Sequence, residues 1–210
     1  MLEKYSHIIW DWNGTILNDL ELFVEITNQQ LSEAKLPILT LEEYRESFSH
    51  PVDEFYQRLG FDLTRQPFGG IGADFSRRYA DLRHGVGIQA DAKQVLDEVL
   101  SRGKTQSVLS AHEQGMLDYM IRHHGLADHF SEVCGLSDFQ ASSKIQLGLN
   151  WLAARSHKRE SLVIIGDTDH DYEVAKALGI DCILVSHGLQ SHVRLKRLGV
   201  SVIEGLGELL

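Results

Sequence analysis

Only two cysteines, Cys134 and Cys182, occur in 210 residues, with no Cys-x-x-Cys spacing. That scarcity argues against a disulfide framework, and both thiols read as small buried hydrophobes. No apolar run approaches the roughly 18 residues that mark a membrane-spanning helix. The first residues, Met1-Leu2-Glu3-Lys4, lack a signal-peptide pattern. The expectation is a cytoplasmic protein without a membrane partner. Basic charge is also short, since 20 Lys and Arg against 30 Asp and Glu leave a net charge of -10. The deficit is spread widely, with 7 basic and 12 acidic residues between Asn18 and His84. No basic stripe exists to follow a nucleic-acid backbone, so a nucleic-acid partner is not expected. The eleven histidines form no His-Glu-x-x-His, and the carboxylates lack the spacing of an EF-hand loop. Internal repeats and low-complexity segments are missing too. No feature sets an oligomeric state.

What is present is enough apolar material, 43% of residues, for one sizeable core and a small accessory domain. Residues 7–11 read as a buried strand. Leu20, Phe23, Val24 and Leu31 recur at helical spacing from Leu17 to about Ser32, and Pro37 closes that helix. Thr40 and Glu43 form a capping-box pattern that opens the next. Further helical patterns cover about 41–48, 52–59 and 68–83, with no strand-like alternation, so 17–84 is expected to be a helical insert. Gly85-Val86-Gly87 marks the return. From Asp91 onward helices alternate with strands at Thr105–Ser110, Glu132–Cys134, Leu162–Ile165, Cys182–Val185 and 200–203. That alternation predicts an α/β fold, a parallel sheet with helices on both faces.

The chemistry-bearing residues lie at strand ends. His7-Ile8-Ile9-Trp10-Asp11 runs from apolar residues into a carboxylate, and Asn13-Gly14-Thr15 follows. Open α/β sheets hold ligands at that edge, although Asn-Gly is also a plain turn signal. About 155 residues later, Leu162-Val163-Ile164-Ile165-Gly166-Asp167 repeats the device, and Thr168-Asp169-His170-Asp171 completes an acidic turn. Asp169 and His170 equally suit a helix cap. Ser110 ends a strand. Lys144 stands at a helix start, where the macrodipole disfavours a cation, so it either faces solvent or meets an anionic partner.

Asp11, Asn13, Thr15, Ser110, Lys144 and the Gly166-Asp167-x-x-x-Asp171 run, in this order, resemble the haloacid dehalogenase (HAD) superfamily. The likeness is closest to its phosphoglycolate-phosphatase-like branch, to which Val185-Ser186-His187-Gly188-Leu189 is also similar. The resemblance implies a Rossmann-like core, residues 1–16 and 85–210, with residues 17–84 as a helical cap. It implies a magnesium-dependent phosphatase acting on a small phosphorylated metabolite, with phosphoglycolate-like compounds among the candidates. Asp11 would be the nucleophile that forms an aspartyl phosphate. Thr15, Ser110 and Lys144 would bind phosphate, with Lys144 also catalytic. Asp11, the backbone carbonyl of Asn13 and Asp167 would ligate Mg2+, and Asp171 would support Lys144 and the metal waters.

Asn13 departs from the family pattern, because an aspartate there normally exchanges the proton. An asparagine keeps the shape and cannot do so. Several readings remain. The enzyme acts slowly or on good leaving groups, with His50 or His112 substituting. It follows the phosphonate-cleaving relatives, whose cap lysine has only the ill-placed Lys35 as a counterpart. It binds a phosphorylated ligand as a sensor with weak catalysis. An Asp→Asn change introduced at this position would also leave this sequence. The carbon–halogen-cleaving branch would leave Asp167 unexplained. Arg45, His50 and Arg58 are the candidate substrate selectors in the cap.

Overall fold

The computed structural model describes residues 1–136 and 143–210. Ser142, next to the Ser143-Lys144 pair, lies outside the described residues. The enclosed strand β1 (His7–Trp10) is followed by four helices: α1 (Leu20–Glu33), α2 (Leu41–Ser47), α3 (Val52–Arg58) and α4 (Phe68–Leu82). Then come α5 (Ala92–Ser101), β2 (Thr105–Glu113), α6 (Gln114–His123) and β3 (Glu132–Leu136). The chain continues through α7 (Lys144–Ala153), β4 (Leu162–Gly166) and α8 (Asp169–Leu178). It ends with β5 (Asp181–Val185), α9 (His192–Lys196) and β6 (Ser201–Ile203).

The six strands form one sheet in the order β3-β2-β1-β4-β5-β6, and every neighbouring pair is parallel. Strands covered on both faces read as continuous apolar runs, as β1 and β4 do. Alternation sorts their side chains between two layers. Ile8, Trp10, Val163 and Ile165 pack with Val95, Val99, Leu117 and Met120 of α5 and α6. Ile9, Leu109 and Ile164 pack with Trp151, Val174 and Leu178 of α7 and α8.

The helical insert has an apolar centre of its own, built from Leu31, Tyr44, Phe48, Phe55, Tyr56 and Ile71. Its first and last helices also lend Leu22, Ile26 and Tyr79 to the main core. Leu17 bridges Ile88, so the chain leaves and re-enters the sheet layer side by side.

Element boundaries differ from the sequence expectation at α1, which begins at Leu20 and not Leu17, at β3, which ends at Leu136 and not Cys134, and at β2. β2 runs on to Glu113, because a register shift after Leu109 lets Glu113 pair with Leu136. α8 begins at Asp169, where Thr168 and Asp171 form a capping box. Among the described residues no helix is long and apolar enough to cross a membrane.

The strand order positions the site. The chain moves outward from β1 to β2 and β3, then returns to lay β4 on the other side of β1. Such a reversal opens a crevice at the carboxyl ends of the two central strands.

Candidate active site

Asp11 leaves β1 into that crevice, held in register by its N–H donating to the Ile165 carbonyl at 2.8 Å. Asp167 leaves β4 beside it and is fully enclosed. Asp171, in the first turn of α8, folds back toward the strand end. Gly166 makes this possible, since a Cβ at that position would fall within the Asp171 carboxyl group. Carboxylate oxygens of Asp11, Asp167 and Asp171 lie within 4.8 Å of one another. Lys144 enters from the first residue of α7, whose N-terminus Ser143 caps. Its Nζ donates to Asp11 Oδ1 and to Asp171 Oδ1, each at 2.5 Å. The anionic partner of a helix-start lysine is therefore a pair of carboxylates.

Three buried carboxylates face one buried ammonium. Burial pushes Asp11 up to about 7, with Lys144 pulling down and Asp171 pushing up. Burial and the two neighbouring carboxylates hold Asp167 well above its ordinary range. Burial opposes the charge on Asp171 as well, but Lys144 and the Thr168 hydroxyl outweigh it and keep Asp171 low. Burial likewise works against the charge of Lys144, and Asp11 and Asp171 overcome it, so its ammonium is retained.

Surplus negative charge on hard oxygen donors suits a divalent cation such as magnesium. Asp11, Asp167 and the Asn13 carbonyl are the groups that would hold it. Both oxygens of Asp171 are already engaged, Oδ1 by Lys144 and Oδ2 by the N–H and hydroxyl of Thr168.

A pH dependence follows. Unfolded Asp11 ionises near pH 4, whereas the folded group keeps its proton to about 7. The folded state thus binds more protons across that window, and metal-free stability falls as pH rises through it. A cation that favours the ionised carboxylates recovers the loss. The magnesium-induced rise in melting temperature is expected to be larger at about pH 8 than at about pH 5. Thermal denaturation with magnesium and with chelator measures it, and an equal rise at both values would refute it.

Thr15 meets a carboxylate of the cluster. Its hydroxyl donates to Asp167 Oδ1 at 2.9 Å, and the side chain is wholly buried. It orients a metal-ligand candidate, because Gly14 turns the loop at φ +71° directly against Asp167. Ser110 is buried at the crevice, and its Oγ accepts from the His112 N–H at 3.1 Å. Asn13 ties its amide nitrogen to the two legs of the insert, with Nδ2 donating to Asp19 Oδ2 at 2.5 Å and to the Tyr79 hydroxyl at 3.0 Å.

Of the insert's polar groups, Arg45 donates to the backbone carbonyls of Ser186 and Gln190. Arg58 bonds Ser47 and Ser49 within the insert. Both guanidiniums are committed to structure. His50 stacks on His170 at 4.6 Å between ring centroids, and its Nδ1 is buried without a partner among the described residues. Burial pushes His50 and His112 down to about 4, so both rings are neutral at pH 7. Lys35 is exposed beyond α1. Asp169 binds Gln190 and Arg194 and stays outside the carboxylate cluster.

Two contributions escaped sequence reasoning. The Leu189 N–H donates to Asp167 Oδ2 at 2.7 Å, and Gly188 lies so close that a Cβ would enter the Asp167 side chain. Gly188→Ala is expected to displace Asp167 and weaken magnesium affinity roughly 10–100-fold, the range for losing a metal-supporting contact. Calorimetric titration reads this, and unchanged affinity would refute it. The other is Asp19, buried and accepting from Asn13, from the Tyr79 hydroxyl at 2.8 Å and from the Gly14 N–H at 2.8 Å. Burial pushes Asp19 up to about 6, with those donors pulling against it.

Comparison with known proteins agrees with this geometry. A tyrosine-protein kinase, PtkA, of Mycobacterium tuberculosis is 25% identical over 191 residues, which is 89% of this chain. The chain spans 64% of that relative's length. A phosphoglycolate phosphatase of Vibrio parahaemolyticus is 22% identical, covering 86% of this chain and 83% of its own. A haloacid dehalogenase-like hydrolase structure, SP0104 from Streptococcus pneumoniae, superposes with TM-score 0.83 at 17% identity, covering 98% of this chain and 97% of that one. That similarity carries the fold alone. Residues 8–185 match the family model for haloacid dehalogenase-like hydrolases, and this chain, with its crevice carboxylates on β1 and β4, belongs to that family.

Proposed function

We propose that this protein is a magnesium-dependent phosphatase that hydrolyses a small phosphorylated metabolite through a phosphoryl group carried on Asp11. The observation that carries the reading is Lys144, whose Nζ lies 2.5 Å from both Asp11 and Asp171 within a carboxylate cluster. A pure structural ion pair has no need of the third buried carboxylate, Asp167. The phosphoglycolate phosphatases among the relatives support the same chemistry.

In this reading an Asp11 oxygen bonds to phosphorus while the bond from phosphorus to the leaving oxygen breaks. Water then attacks phosphorus and releases Asp11. Lys144 balances the charge of Asp11 and of the equatorial phosphoryl oxygens. Thr15 and Leu189 hold Asp167 in place, and Asp171 holds Lys144. Ser110 offers a hydroxyl at the crevice. Bound magnesium would supply further positive charge at the phosphoryl group. Residues 17–84 act as a cap over the crevice, joined to it through Arg45, Gln190 and the His50–His170 stack. His50, the neutral ring at that seam whose Nδ1 has no hydrogen-bond partner among the described residues, is the selector of choice among Arg45, His50 and Arg58. Two isolated cysteines fit a reducing cytoplasm.

A second reading, a phospholigand sensor with weak catalysis, is favoured by Asn13 alone. Hydrolysis of p-nitrophenyl phosphate separates the two. Turnover that requires magnesium and stops with chelator supports the phosphatase. Binding of inorganic phosphate without any turnover supports the sensor.

A further inference from the structure

The environment of Asn13 bears on which phosphate compounds the proposed phosphatase turns over. Both hydrogens of its side-chain amide have acceptors, Asp19 Oδ2 at 2.5 Å and Tyr79 Oη at 3.0 Å. The Asp19 carboxylate already accepts from Tyr79 and Gly14, so only the nitrogen end of Asn13 fits against it. A flipped amide would set oxygen against oxygen. The Oδ1 atom therefore points away from Asp19 and Tyr79, and no described residue donates to it. Asn13 is also the one half-buried residue of the otherwise enclosed run 11–17, two positions from Asp11. Asp19 stands at the entry to α1 and Tyr79 near the end of α4, so both legs of the helical insert grip this one amide.

We propose that Asp19 and Tyr79 hold Asn13 as a hydrogen-bond acceptor toward the reaction crevice, restricting the enzyme to phosphate compounds whose leaving oxygen departs without a proton. Acyl, enol and aryl phosphates form that class, and alkyl phosphomonoesters fall outside it. The inference rests on the phosphatase reading. In the first step the Asp11 oxygen bonds to phosphorus, the bond to the leaving oxygen breaks, and the electron pair stays on that oxygen. An acidic leaving group carries the pair unprotonated, whereas an alkoxide needs a donor that Asn13 does not present. In the second step the water can donate to Asn13 Oδ1 while it attacks. The bond from phosphorus to Asp11 breaks, the electron pair returns to the carboxylate, and both water protons leave with the phosphate. Asp19 acts through Asn13, as a positioning residue.

The test uses the full chain with magnesium and compares kcat/KM for acetyl, p-nitrophenyl and phenyl phosphates with that for glycerol 2-phosphate. The expected result is a rate on the alkyl ester at least about 10²-fold below the p-nitrophenyl ester, the contribution of a missing general acid. Two variants address Asp19 itself. Asn13→Asp alone sets two carboxylates 2.5 Å apart, where they compete for one proton. The exchange variant Asn13→Asp/Asp19→Asn keeps one carboxylate and one amide with their places swapped. It is expected to raise alkyl ester hydrolysis by about 10²–10⁴-fold, and by about tenfold more than Asn13→Asp alone. Equal rates on alkyl and aryl esters in the unaltered protein would overturn the inference and leave the phosphatase standing. So would an equal gain in the single and exchange variants. No magnesium-dependent turnover of any of the four compounds would overturn both. The leaving-group comparison in the unaltered protein decides the matter if a variant fails to fold.

Discussion

Asp11→Asn is expected to abolish magnesium-dependent turnover while leaving the metal-free fold as stable as before, or more so. The loss should be on the order of 10⁴–10⁶-fold, as for removal of a nucleophile that works as part of a unit. An amide oxygen at position 11 can still accept from Lys144, so packing is kept. The change also removes one carboxylate from a cluster of three beside a single ammonium, in which burial disfavours the charged forms of Asp11 and Asp167. Steady-state rates and thermal melting measure the two halves. A variant that loses stability with its activity would mean that Asp11 is chiefly a structural partner of Lys144.

Lys144→Met is expected to have the opposite stability signature. A methionine fills the volume, but three buried carboxylates lose their one cation. Removing one member of a buried ion pair costs about 3–5 kcal/mol, which for a chain of this size lowers the melting temperature by roughly 6–20 °C. Turnover is lost as well, because the phosphoryl oxygens no longer meet a positive charge. Adding Asp11→Asn to this variant should recover part of the stability and none of the activity. Urea denaturation of the single and double variants checks this, and strictly additive losses would argue against a shared charge balance.

Much of this site was legible in the sequence because its signals are local. An apolar run that ends in aspartate needs no partner to be recognised, and two such runs at Asp11 and Asp167 mark the two central strands. The Gly166-to-Asp171 spacing is equally local, since a glycine next to a carboxylate that folds back four or five residues later is a single turn of chain. Periodicity marks the four insert helices, whose limits match within a residue or two except at the N-terminal end of the first.

The remainder depended on contacts between distant segments. Nothing near Thr15 says that its hydroxyl meets Asp167, 152 positions away. Asp19 looks like an ordinary acid at a helix start until Tyr79, 60 residues on, closes the ring with Asn13. The one available hint was that Asp19 immediately follows the enclosed turn and precedes an apolar helix face. Gly188 and Leu189 read only as a family likeness, because their role is to leave room and supply an N–H for a carboxylate on another strand. Polarity alone singles out Arg45 and Arg58, and polarity does not distinguish a substrate contact from a bond that holds the insert together or joins it to the core.

The most direct test of the central claim is to trap the covalent species. Borohydride added during steady turnover of p-nitrophenyl phosphate reduces an aspartyl phosphate to homoserine, which peptide mass analysis locates. Homoserine is expected at position 11, dependent on magnesium and on substrate. Sustained turnover with an unreduced Asp11, or reduction at any other carboxylate, would contradict it.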